Sequence, residues 1–167
     1  MNELMLNAEP LSAKAFAPYG DVIETSQNSM AAMNEARFER FDDLAKINVD
    51  GSNDGHVAIS IAVAKVPVEL PYRFELVERH PLGSQAFIPL NEFAFTVVVA
   101  PFGESVDAAD LRAFTTNGRQ GINYHRGVWH MPLIATEAGQ EFLIVDRAPS
   151  IDNVQVLALG QPITLII

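Results

Sequence analysis

Period-two alternation constrains this chain more than any other feature. From Val57 to Val66 large and small residues exchange sides, with Val57, Ile59, Ile61 and Val63 on one face and Ala58, Ser60, Ala62 and Ala64 on the other. Phe93, Phe95, Val97 and Val99 repeat the device. Side chains that alternate across a backbone belong to strands, because successive Cβ atoms point to opposite faces. The same reading places strands at Tyr72 to Arg79, Gln85 to Leu90, Leu111 to Thr116, Gly127 to Ala135, Glu141 to Asp146 and Val154 to Leu159. Turn signals separate them at Asn53-Asp54-Gly55, Pro81-Leu82-Gly83, Asn117-Gly118 and Ala138-Gly139. Helix is confined to two short pieces. Leu11 to Gly20 carries a Ser12 cap and ends at Pro18 and Gly20, and a second turn lies near Asp107 to Leu111. Many short strands with so little helix predict a sandwich or barrel. Which face of each strand points inward is not fixed by the pattern.

At 167 residues, with no repeat and no linker, the chain is expected to form a single domain over 1–167. A domain of this size hides roughly 68–70% of its unfolded surface, so its apolar residues suffice for a core without staples. Cysteine is absent, which excludes disulfides, thiolate metal sites and cysteine nucleophiles. The formal net charge of −10 repels phosphate backbones and anionic lipids, so neither nucleic acid nor membrane is an expected partner. No window has the ~18 uninterrupted apolar residues of a membrane span, and Glu3 and Glu9 interrupt the opening residues where a secretory leader would be apolar. A cytoplasmic protein is the expectation. An anionic substrate would have to overcome this charge through a local cluster of cations or a metal.

Three of the four histidines fall in two dense clusters. The first is Glu78-Arg79-His80-Pro81-Leu82-Gly83-Ser84-Gln85, where Glu78 and His80 share a strand face, Pro81 keeps His80 extended and Gly83 permits a sharp return to Gln85. The second runs from Asn117 to Leu133 and holds Asn123, Tyr124, His125, Arg126, Trp129 and His130. Solvated strand ends and a core Trp129 are the plain alternatives for both. His56 reads as a surface residue, and Asp146-Arg147 as an ordinary strand-end pair. Glu78, His80, Gln85 and His125 together would make a mixed imidazole and oxygen site suited to a borderline divalent cation with open positions for substrate. The spacing approximates the cupin pattern, with Glu78 in place of its first His and Gln85 in place of its Glu.

The text from Glu78 to Pro89, with Leu111-Arg112-Ala113-Phe114, Gly121-Ile122-Asn123-Tyr124-His125 and Val128-Trp129-His130, closely resembles the signatures of the ureidoglycolate lyase family. Tyr19-Gly20-Asp21-Val22-Ile23 is similar to the family's opening. The resemblance runs from about Pro10 to Arg147. It implies a mainly β, cupin-like β-barrel (a double-stranded β-helix) with one or two short helices. It also implies a homodimer, a divalent metal with nickel expected, and cleavage of (S)-ureidoglycolate to glyoxylate and urea in bacterial allantoin degradation. One departure concerns Val63, where family members commonly carry Arg.

Loss of the substrate's hydroxyl proton lets a carbonyl form as the carbon–nitrogen bond breaks, and the leaving nitrogen gains a proton. The expected roles are Glu78, His80, Gln85 and His125 as metal ligands, His130 as proton donor or acceptor ahead of Tyr124, and Lys65, Asn123 and Arg126 at the substrate. Two rivals stand beside this. One is a cupin-fold isomerase or dioxygenase acting on another small acid. It is disfavoured because Glu78 and Gln85 replace the usual residues at two ligand positions, which departs from the ordinary oxygen-activating site of two His and a carboxylate. The other is a non-catalytic small-acid binding module, which would not need so many ionisable groups.

Overall fold

The computed structural model describes residues 3–25 and 30–167. Strands β1 (Leu4–Pro10), β6 (Tyr72–Arg79), β8 (Thr96–Ala100), β9 (Arg112–Thr115), β11 (Trp129–His130) and β13 (Gln155–Ile166) close into a barrel in the order β1-β13-β6-β11-β8-β9. Against it lies a five-stranded sheet of β2 (Gly20–Ile23), β10 (Gly121–Tyr124), β7 (Gln85–Pro89), β12 (Glu141–Ala148) and β5 (His56–Val63), in that order. A separate hairpin pairs β3 (Met30–Met33) with β4 (Phe38–Phe41). Among the described residues the one α-helix, α1 (Ala13–Phe16), starts where Ser12 accepts a hydrogen bond from the Ala15 amide at 3.3 Å, and a 3-10 turn at Ala108–Asp110 is capped by Asp107. The mainly β, cupin-like barrel expected from the sequence is the observed fold.

Alternation along β8 sorts the core into two compartments. Val98 and Ala100 join Phe74, Val77, Ala113, Trp129, Ile163 and Leu165 in one apolar cluster. Each barrel strand contributes to that cluster, β1 through Leu4, Leu6 and Ala8, so it fills the barrel. Val97 and Val99 point the other way and join Phe114, Phe87, Ile122, Tyr124 and Phe142. This second cluster therefore lies between the barrel wall and the five-stranded sheet. At the far end of β6 and on β11, Glu78 and His130 stand next to the barrel-filling Val77 and Trp129 and turn to this inter-sheet layer, whereas Arg73, Glu75 and Leu76 earlier in β6 are exposed.

Several expected strands shift. Gly127 to Ala135 shrinks to two residues, because Gly127 takes φ +78° and the chain leaves the sheet before Pro132. Phe95, Val97 and Val99 are buried, whereas Phe93 precedes the strand and is exposed. In β5 the large residues Val57, Ile59, Ile61 and Val63 face outward, and Ala58, Ser60 and Ala62 face the layer between the sheets. Gly83 serves close approach and not a left-handed turn: a Cβ there would sit 3.0 Å from Arg147 Cβ.

Candidate functional site

Glu78, at the end of β6, and His130, on β11, are direct cross-strand partners. Their neighbours Val77 and Trp129 fill the barrel, so both side chains enter the layer between the sheets. The link that brings β11 beside β6 is local. The Gly127 amide donates to the His80 carbonyl at 2.9 Å, and the positive φ of Gly127 turns the chain there. Arg79, one residue from each of Glu78 and His80, points away from them and lies over the Trp129 ring at 4.6 Å. It is tied to Gln155 and to the Gly103 carbonyl.

Glu78, His80 and His130 each place one ligand-type atom within 4.8 Å of the others. Glu78 Oε1 lies 3.9 Å from His80 Nε2 and 3.7 Å from His130 Nε2. The other nitrogen of each ring is occupied. His80 Nδ1 donates to the Asn153 carbonyl at 2.7 Å, and His130 Nδ1 donates to the Val128 carbonyl at 3.0 Å. A carbonyl only accepts, so these bonds fix both tautomers and leave lone pairs on Nε2. Both Nε2 atoms are buried without a hydrogen-bond partner. Asn153 braces the turn a second time, its Oδ1 accepting from the Leu82 amide at 2.7 Å. Burial, and next the neighbouring His80, push the His130 imidazole down to about 3 against the pull of the Val128 carbonyl. His130 is therefore neutral near pH 7. Tyr124 stacks on it, ring centroids 4.1 Å apart and planes at 12°. Burial foremost, and then the Glu78 charge, raise the Tyr124 hydroxyl, which stays protonated.

Two imidazole nitrogens with free lone pairs beside a carboxylate fit a divalent metal of the borderline class, and three protein donors leave coordination positions open. Carbonyl-oriented rings are the usual support for such ligands. The set differs from the one expected from the sequence in two members. His125 follows Tyr124, which faces the cluster, and it points elsewhere: its Nε2 lies 3.2 Å from Asp21 Oδ1 and its side chain is 43% exposed. The expected meeting of His80 with His125 is not what the structure builds; His130 stands there. Gln85 lies on the inner face of the five-stranded sheet, beside Tyr124 in register, and donates to Asp146 Oδ2 at 3.1 Å. The signal that finds His130 is its parity with Trp129, and it becomes readable only once β11 is paired with β6.

The expected substrate-binding residues are engaged elsewhere or distant. Asn123 shares the outer face with Asp21, donating to its Oδ2 at 3.0 Å and to the Lys46 carbonyl at 3.1 Å. Arg126 braces the turn after His80 through the Pro81 carbonyl at 2.6 Å and pairs with Asp50 at 3.3 Å. Lys65 is exposed just past the end of β5. Val63 faces outward opposite Glu141, so its departure from the family pattern lies on the far side of the sheet from the cluster. A groove of about 1100 Å³ runs along β6 and the bulge of β13 and is lined by none of the three cluster residues.

A filled barrel with a packed sheet, and two histidines and one carboxylate between them, define a cupin-like protein with a compact polar site. Oxygen-activating sites use the same donor set, so the ligands alone do not separate a lyase from them. The family separates them. The ureidoglycolate lyase profile matches residues 3–166, and the chain belongs to that family. It is 48% identical over 148 residues to the ureidoglycolate lyase of Stutzerimonas stutzeri (strain A1501), covering 89% of this chain and 86% of that one. Ureidoglycolate lyase of Pseudomonas aeruginosa (strain LESB58) is 49% identical over the same length and shares. That of Pseudomonas entomophila (strain L48) is 47% identical over 153 residues, 92% of this chain and 89% of that one.

Proposed function

We propose that this protein is a lyase that cleaves ureidoglycolate to glyoxylate and urea in allantoin degradation, with Glu78, His80 and His130 holding a divalent cation. The observation that carries the metal assignment is the pair of buried, unpartnered Nε2 atoms aimed at one carboxylate. Nickel is the ion the family resemblance implies. When bound, it supplies Lewis acidity to the substrate's carboxylate and hydroxyl oxygens, an effect worth several kcal/mol. Glu78 takes the hydroxyl proton at a carboxylate oxygen and returns it to the ureido nitrogen as the carbon–nitrogen bond breaks. Tyr124, kept protonated, donates a hydrogen bond to that nitrogen. A neutral His130 suits a ligand better than the proton donor or acceptor expected from the sequence. A positioned acid–base group contributes typically ~10²–10⁴ in rate, which a carbon bearing both hydroxyl and nitrogen can exploit.

The outward face of β5 exposes Val57, Ile59, Ile61 and Val63 at 51–71%, in register with Leu143 and Val145 of β12. A continuous apolar strip on an edge strand is a surface proteins cover, and we assign it to a second copy in a homodimer. The expected compartment remains the cytoplasm, and among the described residues no helix is long and apolar enough to cross a membrane. Incubating metal-loaded protein with ureidoglycolate should release urea and glyoxylate in equal amounts. Ammonia in place of urea would make it an amidohydrolase and overturn the assignment.

A further inference from the structure

We infer that Asp146, held by Gln85, recognises the ureido end of the substrate; this rests on the lyase reading above. Tyr124, Gln85, Asp146 and Ala58 are successive neighbours across β10, β7, β12 and β5, since Tyr124 pairs with Gln85, Val145 with Ala86, and Asp146 with Ala58. Paired residues in antiparallel strands share a face, and the stacking of Tyr124 on His130 shows which space that face looks into. Strands lie about 4.7–4.9 Å apart, so Asp146 stands roughly 10 Å along the sheet from the tyrosine that covers the cluster.

The chemistry of the pair is one-sided. Gln85 Nε2 donates to Asp146 Oδ2, and among the described residues no donor reaches Asp146 Oδ1 or Gln85 Oε1. Two acceptors thus face the layer, and Ala58, the register partner of Asp146, carries only a methyl group and no donor for them. A ureido group ends in N–H donors and matches acceptors; a carboxylate at that end would be repelled. Asp146 therefore sets the direction of binding, with the carboxylate toward the histidines and the ureido group toward β12.

The test uses Asp146→Asn in the full-length, metal-loaded protein. Because Gln85 Nε2 still requires an acceptor, the new amide turns its own N–H groups toward the ureido donors. Calorimetry compares hydantoate, which keeps the ureido and carboxylate groups without the hydroxyl, with glycolate, which has no ureido group. The wild type should bind hydantoate at least tenfold tighter than glycolate. The variant should lose at least that factor for hydantoate while glycolate affinity and metal content hold, with KM rising more than kcat falls. An unchanged ratio in the variant overturns the inference. So does equal affinity for both acids in the wild type, which decides the matter even if the variant fails to fold. An Asp146-dependent hydantoate preference in a protein that releases no urea would keep the inference and remove only the lyase reading.

Discussion

If Glu78, His80 and His130 form the metal centre, metal binding should stabilise the fold by an amount that His130 controls and His125 does not. A ligand that binds only the folded state adds RT ln(1 + [L]/Kd), or about 2.7 kcal/mol at a hundredfold excess over Kd. In a chain of this length 1 kcal/mol moves Tm by roughly 2–4 °C, so the increment should be roughly 5–10 °C. The variants are His130→Gln and His125→Ala. His130 is 2% exposed and its Nδ1 satisfies the Val128 carbonyl, so its replacement also destabilises the metal-free protein. The decisive quantity is therefore the metal-induced increment within each variant. Thermal melts with and without nickel, after chelator treatment, should show the increment gone in His130→Gln and intact in His125→Ala. The opposite pattern would refute the reasoning and restore the ligand set expected from the sequence.

Three other outcomes follow from the same structure. Burial raises the Asp21 carboxyl, but hydrogen bonds from Asn123, the Lys46 amide and His125 outweigh it and leave it below 3.8. Its stabilising contribution is whole above pH 3.8 and is lost as pH falls through the folded value; denaturation curves from pH 5 to 3 should be flatter for Asp21→Asn than for wild type. Arg147, buried, donates to the carbonyls of Asp50 at 2.9 Å, Pro149 at 2.7 Å and Ser52. Arg147→Met should cost about 3 kcal/mol in urea denaturation, at roughly 1 kcal/mol for each hydrogen bond; a loss under half of that would mean the loop rehydrates freely. Ile61→Arg should leave the single-chain fold intact and give monomers by sedimentation, whereas an unchanged dimer would move the interface off β5.

Much of the scaffold is legible in the sequence. Tyr72 to Arg79 reads as a strand from Tyr72, Phe74 and Leu76 at period two, and Pro81 confines His80 to an extended backbone. The Ser12 cap marks the helix start in sequence and structure alike. The ligand set was less legible, for a reason of parity. Tyr124 and His125 are adjacent, so near the strand end they diverge, and chemistry alone favours the imidazole for the site. Packing chose the ring that fits flat on His130. Strand β1 was missed as well. Its pairing is parallel, to β13 and β9 more than a hundred residues away, and nothing near Leu4 announces it. Which face of β5 points inward was open in the sequence, since alternation alone does not choose a side, and packing against β12 turns the large residues outward.

Strand β12 ties these levels together. Phe142 is core, Asp146 faces the layer that holds the histidines, and Leu143, Val145 and Arg147 alternate to the outer side. A side-chain period of two admits no slippage: moving β12 by one residue would put Val145 beside Gln85 and expose Phe142. Arg147 opposes that shift by clamping the loop at Asp50 and Ser52 onto the outer face, with Gly55 and Gly83 bare enough to admit it. The register that positions Asp146 is thus maintained from the outer face of the sheet. A substitution at Arg147 or Gly83 should therefore disturb ureido recognition without touching a metal ligand, and do so in proportion to the stability it removes.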